Sequence, residues 1–298
     1  MQRSFYHEYF GLATLAIVTC LTVSCASRSR HLEDPAPLHP ATVNHSPPIL
    51  LDGIQPRYQA GESITWEVSL RGIEGGRARF AVGQPALVDG KQVLALHADA
   101  ESSGLVAVVK TFHDDISAWI DASTGLPIRT VGNSNTSGKD THAEATFDHQ
   151  AHRASIDYSI GTGARQKTAR RLPESATYDP LGVILVLRGW AAPDGARAIF
   201  HTLGGRTVWR TDLTVDGRET LSTKLGKVMC IRMTGVSRRL TATLGVDDKK
   251  PARKFTVWLS DDARRVPLEI VAHTELGDVD VVLTSYEAPP LATASATR

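Results

Sequence analysis

The chain has 298 residues, of which 42% are hydrophobic, and its 33 Lys and Arg stand against 32 Asp and Glu. That apolar content suits a folded body and excludes global disorder. The near balance of charge leaves no surplus to condense on nucleic acid, so nucleic acid is excluded as a partner.

The first element is an uncharged apolar run, Phe10 to Val23, preceded by Arg3. As a helix rising 1.5 Å per residue it would span roughly 21 Å. This falls short of the roughly 30 Å hydrocarbon layer, so the run reads as the core of a cleavable signal peptide over 1–24. Leu21-Thr22-Val23-Ser24-Cys25 follows a lipobox pattern, with Thr22 where Leu is usual. Cys25 is therefore the expected lipidation site, carrying palmitate-type acyl chains into the membrane, and an ordinary secretory signal is the alternative. Ala26, with no Asp after the cysteine, points to the outer membrane facing the periplasm.

From 25 to 56 six prolines lie among Ser, His and Asn without periodicity, which reads as an extended tether. The body, 57–287, alternates with period two: Ile64, Trp66, Val68 and Leu70 share one strand face, and Gly75-Gly76 then offers a turn. Ala78, Phe80 and Val82 continue the pattern. Further strands are predicted at 92–98, 115–121, 126–131, 143–148 and 153–160. Residues 161–176 read as an exposed basic loop between two candidate halves, 57–160 and 177–287.

One segment differs. Asp179-Pro180, an N-cap residue before a proline, opens the apolar run to Trp190, which predicts a short buried helix near 180–191, with a central strand as the alternative. Beyond it strands are predicted at 206–215, 218–225, 227–234, 254–260, 265–274 and 278–286. Asp216-Gly217 and Gly277-Asp278 are placed as hairpin turns. The tail, 288–298, is small and polar. The fold class is mainly β: antiparallel curved sheets, half-barrel or sandwich-like, with one buried helix.

A weak internal echo links Trp119-Ile120-Asp121 and Pro127 to Trp258-Leu259-Ser260 and Pro267. Three motifs, Gly61-Glu62-Ser63-Ile64-Thr65-Trp66, Tyr178-Asp179-Pro180-Leu181 through Leu187-Arg188, and Val257-Trp258-Leu259-Ser260-Asp261-Asp262-Ala263-Arg264-Arg265-Val266-Pro267-Leu268, resemble domain-of-unknown-function family 3108. That resemblance implies an exported, β-rich bacterial envelope protein and assigns no catalytic residues. A more distant likeness, at fold level, is to periplasmic half-barrel lipoprotein carriers.

No nucleophile elbow, phosphate loop, paired zinc cysteines or His-Glu-x-x-His motif occurs, so no catalytic residue, metal or cofactor is implied and the chain does not read as an enzyme. His142, His149 and His152 cluster near a turn, and Asp114-Asp115, Asp247-Asp248 and Asp261-Asp262 have turn chemistry as their plain explanation. Cys230 reads as a buried thiol. Trp119 and Trp258 are the candidate ligand-binding residues: each projects from the more polar face of its strand, where an indole in a concavity would suit an apolar chain or a sugar ring. The competing expectation is that the 180–191 helix covers both. The expected function is a non-enzymatic binding or carrier module for an apolar or glycan ligand. The alternatives are a scaffold binding other envelope proteins and, third, a hydrolase.

Overall fold

The computed structural model of the chain describes residues 47–104, 107, 111–224, 226–274 and 277–289. Cys25, the signal segment and most of the tether lie outside the described residues, as does 290–298. Among the described residues no helix is long and apolar enough to cross a membrane.

The strands are Ile49–Leu50 (β1), Ser63–Leu70 (β2), Ile73–Val82 (β3), Ala86–Val88 (β4), Lys91–Ser102 (β5), Phe112–Asp121 (β6), Pro127–Thr136 (β7), Lys139–Asp148 (β8), Arg153–Ile160 (β9), Gln166–Arg171 (β10) and Thr177–Tyr178 (β11). After helix α1 (Gly182–Gly189) come Arg197–Gly204 (β12), Thr207–Thr223 (β13), Gly226–Arg239 (β14), Arg253–Ser260 (β15), Pro267–Thr274 (β16) and Gly277–Glu287 (β17).

They form one curved antiparallel sheet. From β10 the ladder runs through β9, β8, β7, β6 and β5 to β3 and β2. It continues from β2 to β17, then β16, β15, β14, β13 and β12. The pairing of β17 with β2 places the two ends of the body side by side mid-sheet. The free edge of β12 receives β1 and β11, both parallel. Among the described residues β10 and β12 do not pair, so the barrel stays open along a seam. Side chains bridge it: Phe147, Ala154, Ile156 and Leu172 pack with Leu203, Val208 and Leu240, and Arg170 Nε donates to the Arg206 carbonyl at 2.7 Å.

Several expected boundaries move. The β2–β3 turn is Arg71-Gly72, both with positive φ (51° and 76°), and Leu70 pairs with Ile73 across it. Such a two-residue turn matches strand twist. Gly75 and Gly76 instead lie within β3, where a Cβ on Gly76 would sit 2.5 Å from the Glu101 carbonyl. Asp216-Gly217 is not a turn but a bulge in β13, which keeps pairing with β14 on both sides of it. Gly277 and Asp278 belong to β17, and Thr274 pairs with Gly277.

The supposed basic loop contains β10, whose two faces are both partly exposed and so carry no alternation of polarity. The tether ends earlier than 56, because Ile49 and Leu50 pair with β12, Leu51 is fully buried and Asp52 Oδ1 accepts from the Ala176 N–H. The internal echo extends to the backbone. In β6–β7 the register shifts between Trp119 and Ile120, opposite Pro127, and in β15–β16 between Trp258 and Leu259, opposite Pro267.

Candidate functional site

α1 is apolar on most of its circumference, which requires burial on several sides. Leu181 and Leu185, at and within its first turns, share a cluster with Ile116, Ala118 and Ile120 of β6. Val183 and Val186 share another with Phe255, Val257 and Leu259 of β15. The helix therefore fills the inside of the curved sheet and contacts both halves.

It begins two residues after Pro180, later than the sequence suggests, yet Asp179 still serves its start: Oδ1 accepts from the backbone N–H of Leu181 at 2.8 Å and of Gly182 at 3.2 Å. Its Oδ2 is buried without a hydrogen-bond partner among the described residues. Burial pushes this carboxyl up to about 6, against the lowering effect of the two N–H donors.

The one charge in the helix is Arg188, and it is buried with Glu62 at 1% and 0% side-chain exposure. The pair is bidentate: Nη1 to Oε1 at 2.5 Å and Nη2 to Oε2 at 2.9 Å. Arg188 Nε donates to the Arg264 carbonyl at 3.0 Å. Glu62 also accepts from the Tyr286 hydroxyl at 2.9 Å and the Gln59 N–H at 3.1 Å. Such saturation is what makes a buried ion pair tolerable. Nearby, Trp66 Nε1 donates to the Pro267 carbonyl at 3.0 Å. The three motifs singled out in the sequence thus meet at one latch on the C-terminal end of α1. Sequence reasoning did not find this pair, although a lone Arg in an apolar helix is a signal for a buried partner.

Between α1 and the sheet lies a cavity of about 70 Å³. Ile184 and Leu187 of the helix face Trp66, Phe80, Phe200 and Phe255 across it. Its surface is mainly carbon, so it has little to hold water and offers contact to apolar matter.

Trp119 and Trp258 do not border this cavity, and five strands separate β6 from β15. Their alternation with Ile116, Ala118 and Ile120, and with Phe255, Val257 and Leu259, puts both on the face away from α1. The expectation that the helix covers them is corrected accordingly. Trp119 is half-buried under the Arg129 guanidinium, 5.1 Å from its ring. Trp258 is covered by the far half of the β13–β14 hairpin, its Nε1 donating to Glu219 Oε1 at 2.5 Å, while Lys224 on that hairpin reaches Glu67 of β2 at 2.7 Å. A longer hairpin, bent at the Asp216-Gly217 bulge, provides the cover assigned to the helix.

Cys230 is buried, and burial pushes its thiol up to about 11, away from nucleophilic character. His142 meets Asn133 at 2.8 Å, His149 meets the Pro127 carbonyl at 2.7 Å, and His152 occupies a turn with φ of 47°. Among the described residues no group of three His, Cys, Asp or Glu is placed to hold a metal ion. Partial burial pushes the Asp121 and Asp262 carboxyls up, but a serine hydroxyl (Ser123 and Ser260 respectively) and two turn N–H groups donate to each and hold it below the usual range.

The family model described as a protein of unknown function, DUF3108, matches residues 63–284. A solved beta-barrel-like protein of domain of unknown function DUF1849 from Brucella abortus has a TM-score of 0.54 at 11% identity, over 78% of this chain and 99% of that one. That likeness shows the fold alone. Two others align more loosely. A candidate exported protein with a YmcC-like fold from Bacteroides fragilis has a TM-score of 0.34 at 9% identity, over 79% of this chain and 99% of that one. A candidate lipoprotein from Parabacteroides distasonis has 0.33 at 10%, over 79% and 99%. No curated protein matches the chain.

Proposed function

The chain belongs to the DUF3108 family of proteins of unknown function, and on that premise we propose that it is a non-enzymatic binding or carrier module of the bacterial cell envelope. Its ligand is apolar, of the acyl-chain kind, and is held between α1 and the inner face of the sheet. Its anchor is a lipid on Cys25, in the outer membrane.

The observation that carries this reading is the apolar cavity of about 70 Å³ under a buried helix. A void of that size forfeits roughly 2 kcal/mol of packing at about 24 cal/mol per Å³. It is smaller than the roughly 300–1,000 Å³ of a ligand-sized pocket, so a bound chain would have to displace α1 outward. A helix whose one charged tie is the ion-pair latch at its C-terminal end, the rest of its hold being apolar packing, suits reversible displacement of that kind. The signal-like Phe10 to Val23 run and the proline-rich stretch after Cys25 support an anchored body at a distance from the bilayer.

Native mass spectrometry of the full chain extracted from its own membrane tests both parts. The mature N-terminus should carry an acylated Cys25, and a bound adduct of lipid mass should be present. Ile184→Trp, which fills the cavity from the helix side, should lose the adduct while keeping the fold. A bare chain, or an adduct unaffected by Ile184→Trp, would remove the binding proposal, and an unmodified Cys25 would remove the anchor.

A further inference from the structure

The open seam of the barrel carries a second concavity, beside β9 and β10. It is a cleft of about 860 Å³ whose walls include Arg153 of β9, Arg171 of β10 and the apolar side chains of Leu172, Leu244 and Leu50. Glu174 is the carboxylate among its lining residues.

Arg153 and Arg171 stand directly opposite one another in the β9–β10 ladder, and both are exposed. Two cations in that position repel and weaken the pairing they sit on. The usual remedy is a carboxylate, and Asp148 is in the right place for it, opposite Arg153 on β8. Its Oδ1 instead accepts from the Ala151 N–H at 2.9 Å, and among the described residues it forms no ion pair with Arg153. Among the described residues neither Arg153 nor Arg171 has an ion pair or a side-chain hydrogen bond. Arg170, the neighbour of Arg171 on β10 and also a lining residue of the cleft, is engaged with the Arg206 carbonyl. The seam thus leaves two exposed arginines on one rung of the ladder, without an ion pair among the described residues, in a cleft that Leu50 and Leu244 also line.

Two planar donors borne on one ladder rung suit an oxyanion with several acceptor oxygens, and guanidinium is the group that binds phosphate in forked geometry. The leucines beside them suit hydrocarbon. We propose that the seam cleft is a binding site for a phosphate group borne on an apolar chain, an anionic amphiphile, distinct from the cavity under α1. The anion relieves the cross-strand repulsion, and the chain lies on Leu50 and Leu244.

Calorimetric titration of the full chain in a neutral detergent with monododecyl phosphate, and separately with inorganic phosphate, tests this. Monododecyl phosphate should bind at least about tenfold tighter than inorganic phosphate. The double variant Arg153→Gln/Arg171→Gln should weaken it by about tenfold or more, as expected when hydrogen bonds to a charged group are lost. Ile184→Trp should leave it unchanged, which separates this site from the one under α1. Equal binding of the two probes would assign the cleft to free phosphate and overturn the amphiphile. No binding, or binding unchanged in the double variant, would overturn the site. A further readout needs no ligand: with the repulsion relieved, the unliganded double variant should melt at a higher temperature than the parent, and a lower one would overturn the premise that the arginines are uncompensated.

Discussion

Replacing Arg188 by Met cuts the latch at the end of α1 and leaves Glu62 buried with only two neutral donors, Tyr286 and Gln59. The lost contacts are the two charged bonds to Glu62 and the one to the Arg264 carbonyl. Removing one partner of a buried pair costs roughly 3–5 kcal/mol, chiefly because the other charge is left desolvated. In a body of this size each kcal/mol moves the melting temperature by about 2–4 °C, so Arg188→Met should melt roughly 6–20 °C below the parent. Thermal unfolding followed by circular dichroism measures it. Glu62→Gln/Arg188→Met should recover much of the loss, because neither charge is then stranded, giving a coupling of about 1–3 kcal/mol in the double-mutant cycle. Added salt should change the parent little, since the pair is shielded from solvent. A drop of less than about 3 °C in the single variant, or a double variant that loses the sum of the two singles, would refute the latch.

Two further perturbations bear on the same helix. Asp179 has a carboxyl raised from the ordinary 3.8 to about 6. The stability linked to its protonated form is full below about pH 4 and is lost as pH rises through about 6, a change on the order of 3 kcal/mol for a shift of this size. Asp179→Asn should therefore gain on the parent between pH 4 and 7 in denaturant titrations, and a constant difference across that window would count against the burial argument. His201 works in the opposite sense. Burial lowers it from 6.5 to about 4, so its contribution is full above pH 6.5 and lost as pH falls toward 4, and Asp179→Asn should leave that acid-side loss plainly visible. Gly189→Ala would place a Cβ 2.0 Å from the Gln55 carbonyl. In an exposed helix that change gains about 1 kcal/mol, but here overpacking should cost about 1–3 kcal/mol, and a stabilised variant in urea melts would show that the 52–56 segment does not press on the helix.

Much of the β framework is legible because period-two alternation reports directly on strands with one wet and one dry face. β2, β5, β6 and β9 each have that pattern, and the proline after Asp179 marks a helix start that the structure shifts by two residues. Strands without a dry face escape, which is why β10 reads as loop and Ile49–Leu50 as tether. Gly pairs are ambiguous for a different reason. The same freedom of φ that makes a turn also makes a bulge or a close approach, and only the neighbouring strand distinguishes Arg71-Gly72 from Gly75-Gly76 or Asp216-Gly217.

The candidate site depended on contacts that no local pattern encodes. Glu62 and Arg188 are 126 positions apart, and the sequence marks each only as a charge within a motif. The alternation correctly assigned Trp119 and Trp258 to one face of their strands, but which face is concave follows from how the whole sheet curls. The sequence by itself determined the strands, the buried helix and an apolar run ending at a lipobox-like Cys25, because these rest on residue type and short-range periodicity. Only the tertiary structure decided that α1 fills the inside of the sheet, that a bent hairpin covers Trp258, and that an uncompensated arginine pair lies on the open seam. Those outcomes arise where distant segments must share one volume and one charge balance, and no window of neighbouring residues contains that constraint.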